Sequence, residues 1–369
     1  MDIAYVTTRI VASDAQGNFT ASALAALKAA GKGRVALYTF AYERPPVDGV
    51  EVHFLGGRNA HSIGANLAAL LRTGKVAHEL AGYDRLVLAG PDIGALPAVH
   101  LARRQNPELQ LVWIYHGLTP PEQLKSLKDR LLTRIRRMAY ASSMKRSDRI
   151  KSDSEHSKRE LAGWGVDPAK VTVIPIGVDL SRFSAVPAAR TGDRFRLLYV
   201  GRLARGKRVD NLLRAMDLLW DRPVHLTIVG DGPERGRLEK LREMLSLGER
   251  VTFAGRVPED ELPGYYRACD AWVTASEHEG FCVPVVEAMA SGRPVIVPDV
   301  TAMPETAGSA GLTYPSGDLA GLVSVIDRLM TDRALYDSLV RKAFDEVTRF
   351  EMGGVMARYL AFIGKNGGP

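Results

Sequence analysis

A chain of 369 residues exceeds what a single hydrophobic core serves and suits two domains of about 170–190 residues. With 46% apolar and 25% charged residues it has ordinary globular composition, which excludes a disordered or fibrous protein, and no run of about 18 apolar residues could span a bilayer. The formal charge of +7 is concentrated between 121 and 151, where ten Lys/Arg meet three acids (Glu122, Asp129 and Asp148), an argument against a general nucleic-acid surface. Two cysteines, Cys269 and Cys282, offer neither a disulfide framework nor metal-ligand spacing. With an N-terminus that opens on a strand pattern and not on a leader, they predict a reducing cytoplasm.

In chain order, β-branched runs at 3–8, 34–40, 50–55, 84–90, 109–115, 148–154 and 171–176 predict seven strands. Helical periodicity lies between them at Ala21–Ala30, Ile63–Leu71, Ala95–Arg104 and Leu124–Ala141. An irregular stretch, 181–194, interrupts the rhythm, which restarts with strands at 195–201, 225–230, 250–255, 271–276 and 294–299. Strand followed by helix throughout predicts an α/β protein of two Rossmann-like, doubly wound parallel-sheet domains facing a central cleft, 1–180 and 181–349. The last segment, Phe350–Ile363, has helical spacing and no strand to follow; it could cap the second domain or cross over to complete the first with 350–369.

Three strand ends carry residues suited to a phosphorylated ligand. At Gly201–Lys207 (GRLARGK) a glycine turn lets amides approach an anion, and Arg202 and Lys207 could share one diphosphate; a solvated basic turn is the bland alternative. Gly230-Asp231-Gly232-Pro233 ends the next strand, where ligands of such sheets lie, although by itself it is an ordinary turn. Most specific is SEHEGFCVPVVEAMA (276–290): Pro284 marks a helix start, Glu279 lies in the loop and Glu287 one turn inside the helix. Amides at Phe281, Cys282 and Val283 would face the space between the two carboxylates, so hydroxyls and phosphate oxygens would both find partners. Glu277 and His278 are expected to be solvated, and Cys282 to be a small packing residue and not a nucleophile.

These residues resemble the retaining, nucleotide-sugar-dependent glycosyltransferases of the two-Rossmann (GT-B) type, family 4, over nearly the whole chain. The family's E-x7-E stands as Glu279 and Glu287, alongside VIPIGVD (173–179), YVGRLARGK (199–207), IVGDGP (228–233), FAGRVPEDEL (253–262) and PDVTAMPETAGSAGLTY (298–314). The resemblance implies that Arg202 and Lys207 hold the donor diphosphate, that Glu287 holds the ribose hydroxyls and that Glu279 contacts the donor sugar. It implies further that Gly280, Phe281 and Cys282 line the sugar and phosphate, and that Gly232 and Val257 border the base. In the first domain Gly17 resembles the family's glycine loop after strand one, and His116 a histidine facing the donor sugar. Two departures stand out: Cys282 replaces a common glycine, which narrows the sugar pocket, and AQGNFT around Gly17 lacks the paired glycine.

The implied reaction moves a hexose-type sugar to an acceptor hydroxyl with retention, using cations and a helix start in place of a metal; no Asp-x-Asp motif is present. No cofactor is expected beyond the co-substrate nucleotide sugar, with UDP favoured over GDP from family frequency alone. A nucleotide-sugar epimerase, a transferase to a small soluble acceptor and a non-catalytic nucleotide-sugar-binding subunit are the alternatives; no G-x-G-x-x-G supports an oxidoreductase. The basic segment bears on the acceptor. On a helical wheel Leu124, Leu127, Leu131, Ile135 and Met138 form one stripe, flanked by Lys125, Lys128 and Arg136 on one side and by Arg130, Arg134 and Arg137 on the other. The stripe packs inward on the first sheet with the cations solvated, or packs inward while only the cations meet anionic lipid, or itself meets lipid. Either lipid version predicts a peripheral enzyme on the cytoplasmic membrane face, with a glycan or lipid-linked acceptor in cell-surface polysaccharide or glycoconjugate synthesis.

Overall fold

The computed structural model describes residues 1–10, 15–31, 33–42, 47–55, 71–124, 126–183 and 193–364. The predicted helix at 63–71 falls, but for Leu71, outside them. The chain divides into two units, Met1–Gly177 with Gly353–Pro369, and Val178–Met352.

The first unit carries seven parallel strands: β1 (Ile3–Ile10), β2 (Val35–Tyr42), β3 (Glu51–Phe54), β4 (Arg85–Ala89), β5 (Gln110–Tyr115), β6 (Arg149–Ser152) and β7 (Val171–Val173). Their order across the sheet is β3-β2-β1-β4-β5-β6-β7. Helices α1 (Ala15–Ala29), α2 (Thr73–Ala81), α3 (Leu96–Gln105), α4 (Leu127–Lys145) and α5 (Glu155–Gly163) connect them. Parallel strands require such crossovers, and helices on both faces bury the central strands, which is why β4 (RLVLA) is buried at every position. Trp113 of β5 anchors the core, its ring edge-on to Tyr140 of α4 and its indole N–H donating to Ser143 Oγ at 3.2 Å.

The second unit repeats the plan with β8 (Phe195–Val200), β9 (Val224–Val229), β10 (Val251–Gly255), β11 (Ala271–Val273), β12 (Val295–Pro298) and β13 (Gly311–Tyr314). Its order is β10-β9-β8-β11-β12-β13, all parallel. The helices are α6 (Val209–Leu218), α7 (Arg235–Met244), α8 (Leu262–Ala268), α9 (Val283–Ala290), α10 (Met303–Ala307), α11 (Leu319–Thr331) and α12 (Arg333–Val347). Strand β13 escaped the sequence reading because its four residues include only one β-branched side chain, Thr313, and pair on one side alone. The order of strand addition reverses between β8 and β11, and ligands of open α/β sheets bind beyond the strand ends at such a switch.

The last helix, α13 (Met352–Gly364), docks on the first unit. Tyr359 Oη shares a 2.7 Å hydrogen bond with Tyr5 Oη, its ring meets Phe19 edge-on, and Arg149 donates to the Phe362 carbonyl. Tyr359, Phe362 and Ile363 are buried there, so the apolar spacing of 355–363 serves the first core, while Phe350 stays with the second unit.

Candidate functional site

The turn after β8 and the loop after β11 meet at the switch point, and paired charges join them. Lys207, closing a 3-10 turn at Arg205–Lys207, places Nζ 2.5 Å from Glu279 Oε1. Burial would lower its pKa, but the Glu279 carboxylate outweighs that and raises it, so the ammonium is held charged. One residue on, Arg208 adopts a left-handed conformation (φ 46°) and its guanidinium pairs with Glu277, while the Glu277 amide donates to the Gly206 carbonyl at 2.9 Å. Glu277 is therefore a clasp between the two loops and not the solvated residue its sequence context suggests. Arg202 is exposed, with no partner for its guanidinium among the described residues.

Glu279 is anchored through its backbone: its amide donates to Thr301 Oγ1 at 3.2 Å and its carbonyl accepts from Ala302. Phe281 is buried edge-on against Phe350, and its carbonyl accepts from Thr306 Oγ1 at 2.6 Å. Cys282 then turns left-handed at φ 73°, which starts α9 at Val283 with Pro284 in its first turn. Buried and beside the Glu279 carboxylate, its thiol is pushed well above the usual range, which suits packing and not nucleophilic attack. No side chain caps α9, and the amides of Phe281, Cys282 and Val283 donate to no described protein group. Three open N–H groups at a helix start make an anion-accepting cradle beside Lys207.

Glu287 lies one turn into α9 and accepts a 2.6 Å hydrogen bond from Tyr266 Oη of α8. Burial pushes its carboxyl up to about 7, although the Tyr266 hydroxyl and the Arg182 charge act in the other direction. Tyr266, itself edge-on to Phe183, was not legible as a site residue: nothing in PGYYRA marks one tyrosine as the carboxylate's partner. At the next strand end the chain passes close to the β8 turn. The Gly230 amide donates to the Gly255 carbonyl at 2.7 Å, and Leu203 donates to Asp231. A Cβ on Gly230 or Gly232 would collide with the backbone carbonyl of Gly201 or Leu203, so both positions require glycine for close approach. Val257 is half-buried in the turn after β10, the edge strand beside β9.

In the first unit His116 follows β5, and its Nδ1 is 2.8 Å from Asp153 Oδ2, at the end of the adjacent strand β6. Gly17 is buried in the first turn of α1; the resemblance had placed it in a loop. Among the described residues no group of three or more His, Cys, Asp or Glu could hold a metal ion.

The basic helix departs from the inward packing expected of its apolar stripe. Helix α4 begins at Leu127, so Leu124 precedes it in extended conformation; Lys125 lies outside the described residues. The buried face is Thr133, Tyr140, Ser143 and Met144. The apolar stripe faces solvent on the other side: Leu127 is 80% exposed, Leu131 59%, Ile135 44% and Met138 72%. Packing of this stripe on the first sheet is thus overturned, because the helix is held by its C-terminal half. Lys128, Arg134, Arg136 and Arg137 are exposed, Arg137 over the Trp164 ring, and Arg130 is half-buried, its Nε bonded to the Leu124 carbonyl. Two cations of the same basic segment, Arg149 and Lys151, are buried in β6 and contribute nothing to that surface.

Residues 16–182 match the family described as Glycosyltransferase Family 4, and residues 184–346 match Glycosyl transferases group 1. The chain is 31% identical over 226 residues to a D-inositol 3-phosphate glycosyltransferase of Streptomyces bingchenggensis, covering 55% of this chain but only half of that protein. It is 30% identical over 311 residues to a GDP-mannose-dependent alpha-mannosyltransferase of Mycobacterium tuberculosis, covering 80% of this chain and 78% of the relative. Among solved structures, Anabaena HepE in complex with UDP shares the fold with a TM-score of 0.79 at 19% identity, over 98% of this chain and 99% of that one.

Proposed function

We propose a reaction for this chain, which belongs to the family 4 glycosyltransferases and has their two-Rossmann GT-B fold: transfer of a hexose-type sugar from a nucleoside diphosphate to an acceptor hydroxyl, with retention at the anomeric carbon. The observation that carries it is the start of α9, where three open amides stand beside the Lys207–Glu279 pair and Glu287 follows one turn into the helix. Glu287 takes the ribose hydroxyls, and the amides with Lys207 and Arg202 take the diphosphate. An arriving diphosphate competes with Glu279 for the Lys207 ammonium, and the released carboxylate turns to the sugar hydroxyls. As the glycosidic bond breaks, the leaving diphosphate gains charge, and the same cations and amides stabilise it without a metal. UDP is our first choice of nucleotide, supported by the UDP complex of HepE; the mannosyltransferase relative, GDP-mannose-dependent by name, makes GDP the competitor. A thermal-shift panel of UDP-, GDP- and ADP-sugars tests the donor, since the right one at 100 times its Kd stabilises by about 2.7 kcal/mol. No shift with any of them refutes the reading.

On the acceptor side we read α4 as a surface for anionic lipid, which makes the protein peripheral on the cytoplasmic membrane face and the acceptor lipid-linked. The support is the exposed stripe Leu127, Leu131, Ile135 and Met138 with cations beside it. No described helix is long and apolar enough to cross a membrane. Each exposed side chain of the stripe gains about 1–2 kcal/mol on burial among acyl chains, and each nearby cation about 1 kcal/mol at an anionic surface. Binding to phosphatidylglycerol vesicles should fall steeply with salt and vanish when Arg130, Arg134, Arg136 and Arg137 become Gln. A wild-type protein that ignores such vesicles at low salt has a soluble acceptor instead.

A further inference from the structure

Strand β6 reads Arg149-Ile150-Lys151-Ser152, and all four residues are buried. A lysine in the interior of a parallel sheet costs several kcal/mol unless its charge is matched. Lys151, fully buried, pairs through Nζ with Oδ1 of Asp153, also fully buried, and sits 5.0 Å from the centre of the Phe19 ring. Phe19 in turn meets Tyr359 of α13 edge-on. The pair could have been self-sufficient, yet Asp153 spends its second oxygen, Oδ2, on His116 Nδ1 at 2.8 Å. The parallel pairing of β5 with β6 makes this possible: Tyr115 lies opposite Ser152, so the residues that follow both strands emerge side by side.

We infer that Asp153, itself held by Lys151, is a positioning residue that fixes His116 as the Nδ1–H tautomer and leaves the Nε2 lone pair as the ring's acceptor. An ionised carboxylate only accepts hydrogen bonds, so the imidazole nitrogen facing Asp153 carries the proton and the far nitrogen is left as the acceptor. Burial alone would raise the Asp153 carboxyl, but its pairing with His116 and Lys151 and the hydrogen bonds from both outweigh it and hold it below the usual carboxylate range. Nε2 has no hydrogen-bond partner among the described residues, so it can take a hydroxyl proton from a ligand. In this arrangement the lysine neutralises the carboxylate without touching the ligand, and the carboxylate sets the ring. The effect on turnover rests on the role that the family resemblance implies for His116 at the donor sugar; the tautomer itself does not depend on it.

The test is nitrogen-15 NMR of the full chain labelled at histidine, with the His116 signals assigned by their loss in His116→Gln. In the wild type the Nδ1–H tautomer should dominate the neutral ring. The double variant Lys151→Met/Asp153→Leu replaces the pair with apolar side chains of similar volume, a change that buried ion pairs commonly tolerate. In it the ring should shift toward Nε2–H. Hydrolysis of the nucleotide sugar that gives the largest thermal shift should slow by about 10–100-fold in kcat. Affinity for UDP should stay within twofold. Asp153→Asn, which keeps the side-chain shape, is the second variant should the first not fold, and should give a mixed tautomer population. A wild-type ring in the Nε2–H form overturns the inference, as does an unchanged tautomer and rate in either folded variant. His116→Ala with undiminished turnover would instead defeat the sugar-facing reading and leave the tautomer assignment intact.

Discussion

Lowering the pH from 8 to 6 should strip the donor of its ribose contact, because the Glu287 carboxyl is pushed up to about 7 by burial, with only partial relief from Tyr266 and Arg182. A group with that pKa is about nine-tenths ionised at pH 8 and one-tenth at pH 6; if only the carboxylate accepts ribose hydroxyls, affinity falls roughly tenfold, about 1.4 kcal/mol. A nucleotide sugar is the right probe, since free UDP has a terminal phosphate that titrates near pH ~6 itself. The same shift has the opposite consequence for the empty protein. The folded carboxyl keeps its proton to about 7, whereas the unfolded one releases it near 4.5, so stability declines as pH rises through that window and levels off above it. Glu287→Gln removes both effects. Calorimetric titration with UDP-glucose should show weaker binding that no longer varies between pH 6 and 8. Denaturation above pH 7 should show an unliganded variant more stable than wild type, by at most about 3 kcal/mol. A wild-type affinity flat across this range, or an equal slope in the variant, refutes the ribose assignment.

Cys282 holds φ at 73°, so Cys282→Val should cost at least about 2 kcal/mol, because a β-branched residue is a true outlier there. Cys282→Gly should leave the melting temperature nearly unchanged, relief of strain offsetting the lost thiol contacts; a Val variant as stable as wild type refutes this. Tyr359→Phe leaves the buried Tyr5 hydroxyl without its partner and should cost about 1–3 kcal/mol in urea denaturation. An unchanged midpoint would mean that the hydroxyl pair contributes nothing to docking α13. Hydrolysis of the stabilising nucleotide sugar should survive EDTA, and its loss with rescue by a divalent cation would overturn the metal-free mechanism.

The sequence by itself determined what is local. Strands, crossovers and glycine turns depend on backbone preferences over a few residues, so Arg202, Lys207, Gly232, Glu279 and Glu287 could be placed at strand ends and a helix start before any coordinates. Cys282 at a glycine position was legible for the same reason, and its left-handed backbone is the physical content of that departure. Only the tertiary structure decided what depends on neighbours remote in the chain. Arg208 finds Glu277 across 69 residues and His116 finds Asp153 across 37, because strand order, not sequence distance, brings loop ends together. Arg149 and Lys151 count toward the basic excess at 121–151, yet both are buried because their strand lies inside a sheet covered on both faces. The stripe on α4 carries the amphipathic pattern of a packed helix, and periodicity names an apolar face without naming what covers it. The anchoring of α4 through Thr133, Tyr140, Ser143 and Met144 leaves Leu127, Leu131, Ile135 and Met138 in solvent, a consequence of packing geometry that no residue in the helix encodes by itself.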